Sequence, residues 1–223
     1  MEKRRHRRGK MDKYNTDLSV TMMHFEVHNK TEGKSAKTVH WYNEVLGLLY
    51  RWLKEDGRPT TLSSIDEMVV REFILYLQGR PGSKGGTISS HTIYNRVNAL
   101  RSFFAWLGKK GYTDGNVLTD LKQPKTARLI VEPLTQEGIG KIFAAINTNT
   151  ALGARNAALI SLMLDTGLRV SEVADLEGRD VHLETQYVKV MGKGFKERMV
   201  SFGTTCQRAL VDYHYQFRTE PAL

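Results

Sequence analysis

Cysteine occurs once, at Cys206, so no disulfide can close within the chain, and a reducing cytosol is the expected compartment. No apolar run approaches the ~18–20 residues that a membrane-crossing helix needs, which excludes that kind of membrane protein and predicts no membrane partner. The opening residues, MEKRRHRRGK, have no apolar core behind them and are not expected to act as a secretory signal. No G-x-x-x-x-G-K-[ST] phosphate loop occurs, nor any internal repeat or low-complexity stretch. The most telling absence is of charge of one sign. Between Glu72 and Asp114 there is no acidic residue, while Arg80, Lys84, Arg96, Arg101, Lys109 and Lys110 all fall there.

What is present fits that asymmetry. The 223 residues carry a net charge of +9. Residues 1–10 hold six Lys/Arg against one Glu, and residues 11–127 hold sixteen against twelve. Residues 128–223 hold eleven of each and are neutral. A positive excess confined to one half suggests a polyanionic partner rather than a general aid to solubility. Apolar residues make up 40% and charged residues 26%, ordinary globular usage, and the length suits two domains.

Residues 1–14 read as a basic tail. Helical spacing then recurs. Leu18, Met22 and Phe25 share one face, and Ser35 is placed to cap a helix bearing Val39, Tyr42, Leu46, Leu49, Tyr50 and Leu53. A third helix is predicted over Ser64–Leu77 with Met68, Phe73 and Leu77 inward. A fourth runs from Ser89 or Ser90 to Lys109 with Ile93, Val97, Leu100, Phe104 and Leu107 inward. Residues 108–134 are rich in Gly and Pro and read as a linker, with a short helix near Val117–Leu121. Beyond it, helices are predicted from Thr135 to Ile146, over Ala154–Leu164, over Val170–Leu176 and over Thr204–Phe217. Alternation predicts strands over Tyr187–Met191 and Glu197–Phe202, joined by a glycine-rich turn. The expected domains are a tail at 1–14, a helical domain at 15–121, a linker at 122–133 and a second domain at 134–223.

On a wheel of about 100° per residue, the fourth helix sets His91, Asn95, Asn98, Ser102 and Lys109 opposite its core line, with Arg101 at the flank. Such side chains donate to phosphate or read base edges, and a helix fits the major groove. A plain solvated face is the competing explanation, and the missing acids argue against it.

Two motifs carry chemistry. In Asp165-Thr166-Gly167-Leu168-Arg169-Val170-Ser171-Glu172, an apolar helix breaks at Gly167 and Arg169 stands beside a new helix start. Arginine offers a planar fork that matches two phosphate oxygens, and Glu172 lies one turn on, where it could fix the guanidinium. The competing explanation is a surface ion pair. In the turn Gly192-Lys193-Gly194, with Lys196 and Arg198 beyond, glycines let a loop approach a ligand closely. Lys193 could then meet a phosphate or donate a proton; a solvated turn lysine is the alternative.

Together, TGLRVSEVADL and VKVMGKGFKERMVSF resemble the first catalytic block of the tyrosine recombinases, the phage-type integrases. SAKTVHWYNEVL, HTIYNRVNALRSFFAWLGKKGY and LKQPK are similar to that family's helical domain and linker. The resemblance implies a mainly α chain with an α+β second half. A SAM-like core-binding domain would precede a catalytic domain containing a small β-hairpin or sheet, the two closing around double-stranded DNA. It implies that a tyrosine attacks the scissile phosphate, with no metal or other cofactor. Arg169 matches the arginine that holds non-bridging oxygens, Lys193 the lysine that protonates the departing 5′ oxygen, and Glu172 the acidic residue that orients the arginine.

The later block of the family, H-x-x-R followed by the tyrosine, is not found; His214 has Phe217 three residues on, and Tyr213 and Tyr215 lack the matching context. The expectation is a fragment or shortened product, its catalytic domain truncated, that needs intact recombinase protomers for activity. It would act in the cytoplasm, at the nucleoid. A non-catalytic DNA-binding or regulatory protein derived from the fold is the alternative, and an unrelated helical nucleic-acid binder a third.

Overall fold

The computed structural model describes residues 15–82, 85–126, 131–192 and 196–218. The basic tail at 1–14 and the C-terminal TEPAL lie outside the described residues. The chain forms two compact units that divide between residues 130 and 131.

In the first unit, four helices form where the spacing of apolar residues and the caps direct them. They are α1 (Leu18–Thr31), α2 (Ala36–Glu55), α3 (Glu67–Gly79) and α4 (Ser90–Lys109). The caps are side chains that accept otherwise unpaired backbone N–H groups: Asp17 from Ser19 at 2.8 Å, Ser35 from Thr38 at 3.2 Å, Asp66 from Val69 at 2.9 Å and Ser89 from Thr92 at 3.2 Å. Each such cap stabilises its helix by about 1 kcal/mol. The core gathers Leu46, Leu49 and Leu53 of α2, Phe73 and Leu77 of α3, and Val97, Leu100 and Phe104 of α4. The Phe25 ring on α1 meets Phe103 and Trp106 on α4 at centroid distances of 5.3 and 5.2 Å.

Three expectations are corrected here. Met68 is exposed, because nine residues of helix separate it from Leu77, a rotation of about 180°; Val70, Phe73, Ile74 and Leu77 face inward instead. Helix α4 buries a second line, Ala99, Phe103 and Trp106, because α1 packs on that side, so its polar face is narrower than the wheel implied. Residues 117–120 form a turn rather than a helix: the Asn116 side chain accepts the Leu118 N–H at 3.1 Å, and the Asn116 carbonyl accepts the Thr119 N–H at 3.1 Å. That turn drives Leu118 and Leu121 into the first unit's core.

The second unit contains α5 (Gln136–Ala144), α6 (Ala151–Thr166), α7 (Val170–Ala174) and α8 (Thr204–Gln216). Thr135 and Thr150 cap the first two. An antiparallel sheet of order β1-β2-β3 comprises β1 (Val181–His182), β2 (Tyr187–Gly192) and β3 (Lys196–Ser201). The two-residue β1 was not foreseen, being too short to show alternation. Val188 and Val190 point from β2 to a core shared with Leu162, Leu168, Val173, Phe202 and Leu210. Cys206 is buried in that core, and burial pushes its thiol up to about 12. No described helix is long and apolar enough to cross a membrane.

Leu118 lies within a stretch whose composition reads as linker, yet it is fully buried. Leu118→Ala is expected to cost about 2–5 kcal/mol, the usual range for a core leucine with its cavity. Urea unfolding checks this; a loss typical of an exposed linker residue, below about 0.5 kcal/mol, would contradict it.

Candidate phosphate site and nucleic-acid face

Helix α6 ends because Gly167 adopts the left-handed conformation, with φ 66° and ψ 18°, which glycine enters without steric cost. The Thr166 hydroxyl accepts the Leu168 N–H at 3.3 Å, and Leu168 inserts into the core. With Leu168 anchored, Arg169 leaves the core as the first residue of the next turn, its side chain 71% exposed. The reversal therefore serves to present one guanidinium at a fixed place.

Glu172 receives that arginine and a second one. Its Oε2 accepts the Arg169 backbone N–H at 3.0 Å, and its Oε1 accepts Nη1 of Arg169 at 3.0 Å. Arg198 on β3 binds the same carboxylate with both terminal nitrogens, Nη1 to Oε1 at 3.0 Å and Nη2 to Oε2 at 2.9 Å. A carboxylate offers about four lone-pair sites, and all four are filled. The Arg198 pair is the bidentate fork that gives both strength and direction. Glu172 is buried, at 8% exposure. The Arg198 hydrogen bonds, then the Arg169 N–H, outweigh burial and hold its carboxyl down to about 2; the same pairing raises the Arg198 pKa.

Arg198 reaches Glu172 because of sheet register. It sits opposite Val190, on the face of the hairpin that Val188 and Val190 turn to the core. Gly192 makes room for it, since a Cβ there would lie 2.9 Å from Nη1 of Arg198. Sequence reading treated Arg198 only as a basic neighbour of the turn. The signal that could have found it is period-2 alternation, which puts a cation at an inward register position and so demands an acidic partner. Among the described residues, Arg169 has no partner besides Glu172, so Nε and Nη2 remain open to solvent. Lys193, Gly194 and Phe195 lie outside the described residues. Gly192 pairs with Lys196 on either side of them.

On α4, the predicted polar residues divide. His91, Ser102 and Lys109 are exposed and Asn95 is half-buried. Asn98 accepts from the Gln123 amide, and Nη1 of Arg101 donates to the Leu121 carbonyl at 3.0 Å. Those two are drawn to the segment that follows the helix rather than left wholly free. Among the described residues, no cluster of three or more His, Cys, Asp or Glu side chains is placed to hold a metal.

Comparison with known proteins accords with this architecture. Residues 24–111 match the phage integrase N-terminal SAM-like domain, and residues 132–218 match the phage integrase family. The chain is 32% identical over 186 residues to the tyrosine recombinase XerC of Oceanobacillus iheyensis, covering 83% of this chain and 59% of that protein. It is 32% identical over 181 residues to XerD of the same bacterium, covering 81% and 59%. Its fold resembles that of a lambda integrase tetramer bound to a Holliday junction, with a TM-score of 0.69, 16% identity, and coverage of 95% of this chain and 61% of that one. The chain belongs to the phage integrase family, the tyrosine recombinases. It spans 59% of the length of these two curated relatives.

Since the Glu172 carboxyl is held near 2 when folded and near its ordinary 4.5 when unfolded, its ionised form contributes stability in full above pH 4.5. That contribution declines as pH falls toward 2. The gap in melting temperature between wild type and Glu172→Gln should hold constant above pH 4.5 and narrow below it. A gap independent of pH across that window would contradict the ionised bridge.

Proposed function

We propose that this chain binds duplex DNA and supplies the phosphate-gripping part of a site-specific recombinase. The observation that carries the reading is the saturated Glu172 carboxylate, which fixes Arg169 by its backbone and one nitrogen while leaving its Nε–Nη2 edge exposed. That edge is the fork that matches two oxygens of a phosphate. On this reading, Arg169 neutralises non-bridging oxygens as charge builds in the transition state, and Glu172 orients it. Lys193 in the hairpin turn protonates the departing 5′ oxygen. Losing one such stabilising contact commonly costs about 10²–10³ in rate. The α4 residues His91, Asn95, Asn98, Arg101, Ser102 and Lys109 meet the duplex.

Relatives support this reading: XerC and XerD are named tyrosine recombinases, and the lambda integrase structure holds a Holliday junction. The chain would work at the nucleoid, in assemblies with intact recombinase protomers.

The test is a suicide-cleavage duplex, with binding and covalent capture read in the same tubes. Binding should fall steeply with salt, by about 10³ between 50 and 200 mM for roughly six neutralised phosphates. No covalent adduct should form with this chain alone. Binding that is flat with salt would sink the DNA reading, and an adduct would place a nucleophile within this chain, with Tyr213 and Tyr215 the first to replace.

A further inference from the structure

The segment that follows the turn at Asn116 is held in two different ways along its length. Leu118 and Leu121 are buried in the core of the first unit. Nη1 of Arg101 seals that end by donating to the Leu121 carbonyl at 3.0 Å. Residues 122–126, by contrast, form neither helix nor strand, and among the described residues none of them enters a backbone hydrogen bond. Lys122, Gln123 and Lys125 are exposed. Among the described residues, this stretch is tied down by a single polar contact: the Gln123 amide donates to Oδ1 of Asn98 on α4.

Local chemistry keeps the stretch extended. Pro124 has no N–H to give, and its ring biases Gln123 away from helical conformation. Asn98 and Arg101 lie three residues apart on α4 and so share one face, which the segment crosses. These two are half-buried, whereas His91, Ser102 and Lys109 are exposed. The segment therefore lies against the middle of the polar face that sequence pointed to.

The two holds differ in strength. Leu121 is fixed by apolar burial, and Arg101 spends there one of its five N–H donors, keeping the others and its charge. Gln123 has one neutral hydrogen bond at the surface, enough to favour the tied state by about three- to fivefold. Asn98 is the shared group: while it holds Gln123, its amide keeps one orientation beneath the segment, and it must be uncovered to meet another partner. A weak tie that ends on a candidate binding group is one that a ligand can displace.

We propose that residues 122–126 form a latched strap over α4, with Leu121 as its hinge and the Gln123–Asn98 contact as its latch, and that duplex DNA opens it by taking Asn98. The inference rests on the DNA-binding reading above and adds a regulatory step to it. Free chain with the latch closed binds less tightly than its intrinsic affinity, by the fraction of molecules that are open. Coupling is reciprocal, so DNA that favours the open strap also frees the segment beyond Leu121.

The experiment follows tryptic cleavage after Lys125 in the full chain, with and without a mixed-sequence duplex at low salt, for wild type and Gln123→Met. Affinity for the same duplex is measured across a salt series. Methionine keeps the length of glutamine and removes the donor, and the buried Leu118 and Leu121 are untouched, so the melting temperature should hold. Cleavage tracks the open population when opening is fast. Duplex should speed wild-type cleavage after Lys125 by about three- to fivefold, the weight of the latch. Gln123→Met should be cleaved at that faster rate without DNA, gain nothing more from it, and bind the duplex tighter by the same factor. Salt-dependent wild-type binding in which the duplex leaves Lys125 cleavage unchanged or slows it, or Gln123→Met that binds no tighter, would overturn the latch alone. Wild type that shows no salt-dependent binding would overturn the DNA reading beneath it.

Discussion

The second unit turns on one carboxylate. Glu172 lies on a five-residue helix too short to hold its own place, and its four hydrogen bonds come from two segments 29 residues apart in sequence, Arg169 and Arg198. Because Arg198 belongs to β3 and pairs across the sheet with Val190, the carboxylate joins the arginine loop to the β2–β3 hairpin. Two motifs that look independent in sequence are therefore anchored to one another through a single ionised group. The bridge is net cationic, two guanidiniums to one carboxylate, and so it leaves positive charge where an anion could be met.

Arginine plays opposed parts in this chain, and the partner set distinguishes them. Arg58 and Arg198 are spent on carboxylates and serve the fold. Arg169 is half-spent: one nitrogen is tied to Glu172 and the rest of the fork is open. Arg101 gives one nitrogen to the Leu121 carbonyl and keeps its charge. Complete pairing fixes geometry but cancels charge, whereas incomplete pairing keeps charge available at a fixed place. The stretch between Glu72 and Asp114, which has no acidic residue, keeps the arginines within it from being neutralised locally.

Local signals were the most legible. Ser35, Ser89 and Thr135 mark helix starts because a short polar side chain before an apolar period has one common use, and each accepts the N–H expected of it. The Gly167 break and the exposed Arg169 could be read for the same reason. Signals that depend on a neighbour elsewhere in the chain were lost. Phe103 and Trp106 look like the flank of α4 until α1 is laid on them. Met68 is a different case, a local misreading of phase, since it lies about 180° from Leu77 on α3. The turn after Asn116 resembles a short helix because both begin with a capping amide. Arg198 was missed because its partner lies 26 residues back, and only register across the hairpin brings the two together.

The most direct test of the shared carboxylate is a double-mutant cycle between Glu172→Gln and Arg198→Met, read by urea unfolding. Groups in direct contact couple, whereas independent sites add. If the bridge is as described, either single change should cost most of what the pair costs, so that the double variant loses much less than the sum of the two. Losses that simply add would mean that Glu172 and Arg198 do not depend on one another, and that the arginine loop and the hairpin are not held together by this group.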